Sequence, residues 1–324
     1  MAGTRVNIMS STTVRDDYFE GVLALDQTLS GITTSQVSQF LQANFPQISM
    51  RGIEQELSYY DLFALWHVIA MSIPTPPGSG RNAAHSGPVF LPWHRTFMIL
   101  LEQWIQTALG NADFGLPYWD WATDGDLPSA QQWQTPLWTA DYLGEARNEV
   151  LSGRVGQMRV RLWQDQFGTL WSVQPRPLER DAARAQDPDW RTLPTTDEVR
   201  TAMNQTQYDE DPWSGSSQAG HRNHLEGWID GPQLHNLVHV WVGGDMSPGT
   251  SPNDPVFFLN HCNVDRIWES WMANRGRVYQ PQPGDGPAGH RLDDAMYSLF
   301  GETRTPLQVL DPSPWYDYDS LTVA

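Results

Sequence analysis

His235 and His239 stand four residues apart inside the apolar segment LHNLVHVWVGG (234–244), and this spacing constrains the chain more than any other feature. In an α-helix it places both imidazoles on one face, one turn apart, where both reach a single ion. A helix is expected over Pro232–Trp241, with Pro232 near its first turn and Gly243 and Gly244 closing it. His261 follows 22 residues after His239, at the start of a further helical pattern over Asn260–Asn274. A Gly-rich turn and an antiparallel return bring it opposite the pair, which makes a three-histidine site.

The first part of the chain repeats the plan with different parts. His67 lies inside the apolar pattern SYYDLFALWHVIAMS (58–72), which the breakers Pro74, Pro76 and Pro77 close. His94 opens a second pattern, HRTFMILLEQWIQTAL (94–109), ended by Gly110, and His85 sits in the loop just before it. A lone histidine in a helix is usually an ordinary core or surface residue, and a single HxxxH pair is weak evidence. Six histidines, of nine in the chain, in two apolar helix pairs form a much stronger pattern. Imidazole binds copper, zinc and iron alike, so spacing leaves the metal open.

Four strong helices, with further helices over 11–45, predict a mainly α chain: a four-helix bundle with long loops and few short strands. Thr33 or Thr34 is a candidate cap in that first region. Residues 122–224, rich in Pro, Gly, Trp and charge, read as a loop-rich insertion with short helices near 141–151, 179–187 and 195–205. Residues 276–324 read as loops and short strands. No repeat or linker interrupts the chain, so one domain over 1–324 is expected.

Composition narrows the partners. The formal charge is −18, with 38 acidic residues against 20 basic ones, and every basic residue is arginine. Such a surface repels phosphate backbones and anionic lipid, so neither nucleic acid nor a membrane surface is an expected partner. The single cysteine, Cys262, forbids an intrachain disulfide. Neither a signal-peptide pattern nor an apolar run of membrane-spanning length is evident, which points to a cytoplasmic protein, with export on a partner as the alternative.

The segments HSGPVFLPWHR (85–95), LHNLVHVWVGG (234–244) and SPNDPVFFLNHCNVDRIW (251–268) resemble the type 3 copper proteins, above all the bacterial tyrosinases and o-aminophenol oxidases. The resemblance covers most of 1–120 and 225–275. It implies a four-helix bundle around two copper ions, with dioxygen as co-substrate and a small phenol as substrate. By it His67, His85 and His94 look like ligands of the first copper, and His235, His239 and His261 like ligands of the second. The Tyr316-Asp317-Tyr318 element resembles the family's Tyr-x-Tyr motif and is expected near Arg5. Relatives that cross-link a copper ligand to cysteine have no counterpart here, because Cys262 adjoins His261 and points about 100° away. Some bacterial relatives use a copper-loading chaperone, and pigment or secondary-metabolite synthesis is the implied setting.

The resemblance also bears on the reaction. Glu226 and Asn236 match the Glu and Asn that hold a water able to deprotonate an incoming monophenol. Asn260 stands where most tyrosinases carry a histidine, and an amide cannot accept a proton at neutral pH. Robust oxidation of o-diphenols or o-aminophenols, with weaker monophenol hydroxylation, is therefore expected; a full tyrosinase is the alternative. A dioxygen carrier with the same ligands and a zinc hydrolase are the competing classes, the latter disfavoured because no carboxylate accompanies the histidines as in HExxH. Asp265 and Arg266 read as a helix-surface ion pair or a buried brace, Asp120 as a residue orienting a ligand histidine, and His221 and His224 as solvated. Phe257 and Phe258 are core-packing residues by default and pocket walls as the alternative, and Pro248 and Gly249 would leave the pocket mouth open.

Overall fold

The computed structural model describes residues 3–323. Strand β1 (Gly3–Arg5) leads into α1 (Thr12–Gln27), β2 (Leu29–Thr33), α2 (Thr34–Asn44), β3 (Met50–Gly52), β4 (Glu56–Ser58), α3 (Asp61–Met71) and α4 (Phe90–Leu109). The middle of the chain holds the short helices α5 (Trp121–Gly125) and α6 (Ser129–Gln132) and the strands β5 (Arg147–Glu149), β6 (Val160–Gln164), β7 (Leu170–Arg176) and β8 (Glu179–Asp181). Then come α7 (Thr196–Met203), α8 (His221–Glu226), α9 (Leu234–Val242), α10 (Val256–Arg275), α11 (Pro306–Val309) and β9 (Tyr316–Tyr318).

The helices start and stop for local reasons. Thr33 caps α2 in a reciprocal box with Gln36, as its position suggested. Gly110, in the left-handed conformation at φ 63°, ends α4. From Asp61 to Ala70 every residue of α3 is buried, as expected of a helix apolar on all sides. One face of α3 packs Phe63 and Trp66 into the main core; the other packs Leu62, Leu65 and Ile69 against Leu162 and Leu170 of β6 and β7. Helix α4 lies between α1 and α10, and α10 also contacts α9.

Two helices begin earlier than expected. Helix α4 starts at Phe90 and α10 at Val256, so His94 and His261 sit one turn inside rather than at the starts. Neither N-cap residue, Val89 or Pro255, makes a side-chain capping bond, so no polar signal marked these ends. Helix α9 begins at Leu234, after Pro232 rather than at it.

The middle region departs most from expectation. Of its three expected helices only the last exists, as α7. The other two spans hold β5 and β8, paired antiparallel with Arg147 opposite Asp181. Strand β7 joins β6 antiparallel and β3 parallel, with Met50 opposite Leu170. Leu143, Val150, Leu178 and Tyr208 are core residues, so 122–224 is built into the fold.

The ends of the described chain meet in a buried charge cluster. Strands β1 and β9 pair in parallel, Arg5 opposite Tyr318. The Arg5 guanidinium lies 3.4 Å from the Tyr316 ring centre and donates to Glu102 at 2.9 Å. Asp265 receives Arg95 at 2.6 Å and the hydroxyl of Tyr318 at 2.6 Å. The Tyr-x-Tyr element therefore packs on Arg5 as expected.

Candidate metal centre

Four elements and one loop carry the six histidines. The ligating atoms of His67 (α3), His85 (the loop before α4) and His94 (α4) all lie within 4.8 Å of one another. Those of His235 and His239 (α9) and His261 (α10) do the same. The two groups face each other: the rings of His94 and His261 stack with centroids 4.2 Å apart. Phe257 wedges between them, 4.1 Å from the ring of His261 and 5.2 Å from that of His67. Phe258 stacks instead on Phe97, away from the histidines, and is a packing residue.

Backbone carbonyls fix the tautomers of four of the six histidines. Nδ1 of His67 lies 2.7 Å from the carbonyl oxygen of Gly249, that of His94 2.8 Å from Phe90, and that of His239 2.8 Å from Met246. His235 Nδ1 meets the Glu226 carbonyl at 3.2 Å and the Asn236 side-chain oxygen at 3.1 Å. A carbonyl can only accept, so each Nδ1 bears the hydrogen and each Nε2 bears a lone pair. Nε2 of His67, His94 and His239 is buried with no hydrogen-bond partner. Nε2 of His235 and of His261 lie 3.2 Å apart. Buried lone pairs converging in this way leave polar groups unsatisfied unless a cation receives them.

Burial also keeps the imidazoles uncharged. It pulls His67 down to about 3 and His239 to about 4, and holds the other four well below the ordinary histidine value. Two sets of three neutral nitrogens, with no carboxylate or thiolate in either, suit copper. Cys262 stays apart: its sulfur lies 3.4 Å from that of Met98, it is fully buried, and burial pushes its thiol up.

The loop bearing His85 is held from two sides. The Asn82 side chain accepts from the His85 backbone N–H at 2.8 Å, and the Glu226 carboxylate accepts from that of Ser86 at 2.6 Å. The other Glu226 oxygen accepts from Arg222 at 3.0 Å. Arg222, fully buried, grips Asp209 through two bonds of 2.7 and 3.0 Å. Burial pushes the Glu226 carboxyl up, and Arg222 opposes that shift. Asn236 donates to the Gly227 carbonyl at 3.1 Å while orienting His235. Gly227 has φ 98°, and a Cβ there would stand 1.8 Å from the Gln233 carbonyl oxygen, so only glycine closes this turn. Asn260 is fully buried, and neither atom of its amide has a partner.

A cavity of about 560 Å³ opens over His67, His85, His235 and His239, with Met71, Trp228 and Pro248 among its walls. Gly249, expected at the mouth, orients His67 through its carbonyl instead.

Two expectations fail here and one is settled between its alternatives. Asp265 and Arg266 are not partners of each other but buried braces; Asp265 turns inward to Arg5 and Arg95, while Arg266 reaches Asp120 at 3.3 Å. Asp120 is thus a brace for Arg266 and bonds no histidine. His221 is fully buried, its ring stacked 4.7 Å from that of Trp271, and only His224 is partly exposed. The sequence reading also missed Arg222, whose partner Asp209 lies 13 residues away in a stretch without periodicity.

The sequence matches a family model described as the common central domain of tyrosinase over residues 57–274. A tyrosinase of Streptomyces lincolnensis is 37% identical over 266 residues, 81% of this chain and 89% of the relative. A grixazone synthase of Streptomyces griseus is 33% identical over 319 residues, 89% of this chain and 96% of the relative. Among solved structures, a functional unit of octopus hemocyanin aligns at a TM-score of 0.55 with 19% identity, covering 99% of this chain and 69% of the other. A tyrosinase from Burkholderia thailandensis aligns at 0.54 with 14% identity, covering 99% and 74%. These two show likeness of fold.

Proposed function

The chain belongs to the tyrosinase family, whose members are dicopper phenol oxidases that use dioxygen, and from that premise we propose that it oxidises o-diphenols and o-aminophenols readily and hydroxylates monophenols weakly. We place the first copper on His67, His85 and His94 and the second on His235, His239 and His261, at the centre of a four-helix bundle of α3, α4, α9 and α10 within one tyrosinase-like domain. Copper bound there supplies the one-electron chemistry that couples phenol oxidation to dioxygen reduction. Overall, two diphenols give up four electrons and four protons, and one dioxygen becomes two waters.

The protein's own groups do the rest. Backbone carbonyls hold four of the six ligand rings in place, Phe257 keeps the space between them dry, and the cavity is large enough for a substituted aromatic ring. The observation that carries the preference is the engagement of Glu226. Its two oxygens already serve the Ser86 N–H and the Arg222 guanidinium. With both oxygens engaged, this carboxylate has little acceptor capacity left to hold and orient the water that must deprotonate a monophenol. An o-diphenol or o-aminophenol bypasses the hydroxylation step. Asn260, an amide in place of an imidazole, supports the same reading.

Initial rates of copper-loaded protein on a monophenol, a catechol and an o-aminophenol test it. The catechol and o-aminophenol should lead, and Asn260→His should raise the monophenol rate. A monophenol rate equal to the catechol rate, without a lag, refutes the preference.

A further inference from the structure

The walls of the cavity over the histidines bear on which ring substituents it accepts. Among the described residues that line it, none is Asp, Glu or Arg. Its rim is apolar, formed by Met71, Trp228, Pro232, Val240 and Pro248, and its polar part consists of serine hydroxyls, two asparagine amides and the imidazoles. The neighbouring arginines are committed elsewhere. Arg81, next to the lining residue Asn82, donates to the carbonyl of Pro212 at 2.9 Å. Arg222, behind Ser86, is held by Asp209 and Glu226. The chain has no lysine and a formal charge of −18, so no flexible ammonium can swing in and the surrounding field is negative.

We infer that this site selects phenols whose ring substituent is neutral or cationic and rejects those bearing a carboxylate, an inference that rests on the oxidase reading above. A carboxylate entering the cavity loses water and gains no cation, and it meets repulsion from the acidic surface. A neutral amide of the same length costs less to desolvate, and an ammonium, though as costly to desolvate as a carboxylate, is attracted by the acidic surface. The ring meets the same apolar rim in every case, so the charge of the substituent decides the ranking. Discrimination enters through binding, because the substituent sits away from the reacting oxygens, and it appears in KM rather than kcat.

Three catechols with matched side chains test this on the copper-loaded enzyme: 3-(3,4-dihydroxyphenyl)propanoate, its amide, and 3-(3,4-dihydroxyphenyl)propan-1-amine. The amide and the amine should each exceed the propanoate in kcat/KM by about tenfold or more at low ionic strength, with most of the difference in KM. Added salt should narrow the gap. Met71→Arg puts a cation on the partly exposed end of α3 and should raise propanoate turnover relative to amide turnover; Val240→Arg gives a second site for the same change. Equal kcat/KM for propanoate and amide, within twofold at low salt, overturns the inference, as does an unchanged ratio in both arginine variants. No oxidation of the amide at all overturns the oxidase reading itself.

Discussion

A fully buried ion pair ties the middle region to the start of α10, and breaking it gives the sharpest test of how that region supports the metal centre. Arg180 of β8 donates to Asp254 through two parallel bonds of 2.6 and 2.7 Å, and both side chains are fully buried. Its remaining nitrogen serves the carbonyls of Leu143 and Glu145 at 2.8 and 3.0 Å. Asp254 in turn accepts from the Val256 N–H at 3.1 Å, at the start of the helix that carries His261. Arg180→Met fills similar volume but strands the Asp254 carboxylate with one N–H and no cation. Loss of one partner from such a pair costs about 3–5 kcal/mol. Adding Asp254→Asn removes the stranded charge and keeps an acceptor for Val256. The double variant should then recover about 2 kcal/mol, with the unserved carbonyls of Leu143 and Glu145 accounting for the residual loss. Urea unfolding followed by tryptophan fluorescence and circular dichroism reads both values, and copper per chain reads the effect on the site. A single variant that loses under about 1 kcal/mol, or a double variant as unstable as the sum of the two singles, refutes the argument.

Two further outcomes follow from particular residues. Burial raises the Asp61 carboxyl to about 6, from an ordinary value of 3.8, against the pull of Arg161. The folded state therefore binds this proton more tightly than the unfolded one. Its contribution is complete below about pH 4 and is lost as pH rises through 6, about 3 kcal/mol in all. In Asp61→Asn, whose side-chain oxygen still accepts from Ser58, urea midpoints at pH 5 and pH 7.5 should differ less than in the parent; an identical difference in both proteins argues against the assignment. Gly227→Ala places a methyl against the Gln233 carbonyl and should shift the turn that carries Trp228 and anchors His235 through the Glu226 carbonyl. A loss of about 2 kcal/mol with raised KM is expected, and unaltered stability and KM would show that the turn tolerates a side chain.

Five of the six histidines and their helices were legible because each sits in a long, strongly apolar pattern whose period survives without tertiary context, and His85 was found by its place in the loop just before α4. The early starts of α4 and α10 were not, since Phe90–Trp93 and Val256–Leu259 are apolar on every side and carry no cap. The middle region was misread for a different reason. Strands β5 and β8 are three residues long, and β7 pairs with β3 about 120 positions earlier in the chain. No local pattern encodes such pairings. His221 looked solvated beside Arg222 and Asn223, yet the ring that covers it, Trp271, is 50 residues away. Glu226 was found by resemblance, but its restraint by Arg222 required coordinates.

The arginine-only basic set and the buried cysteine have a chemical consequence for an oxidase of phenols. Quinones are electrophiles that alkylate amines and thiolates, and an enzyme that makes them is exposed to its own product at the mouth of its site. A guanidinium stays protonated and does not add to a quinone, and this chain has no lysine to do so. Its one thiol, Cys262, is sealed in the core beside Met98 with its ionisation suppressed by burial. The surface therefore offers a released quinone neither a lysine amine nor a thiol to alkylate.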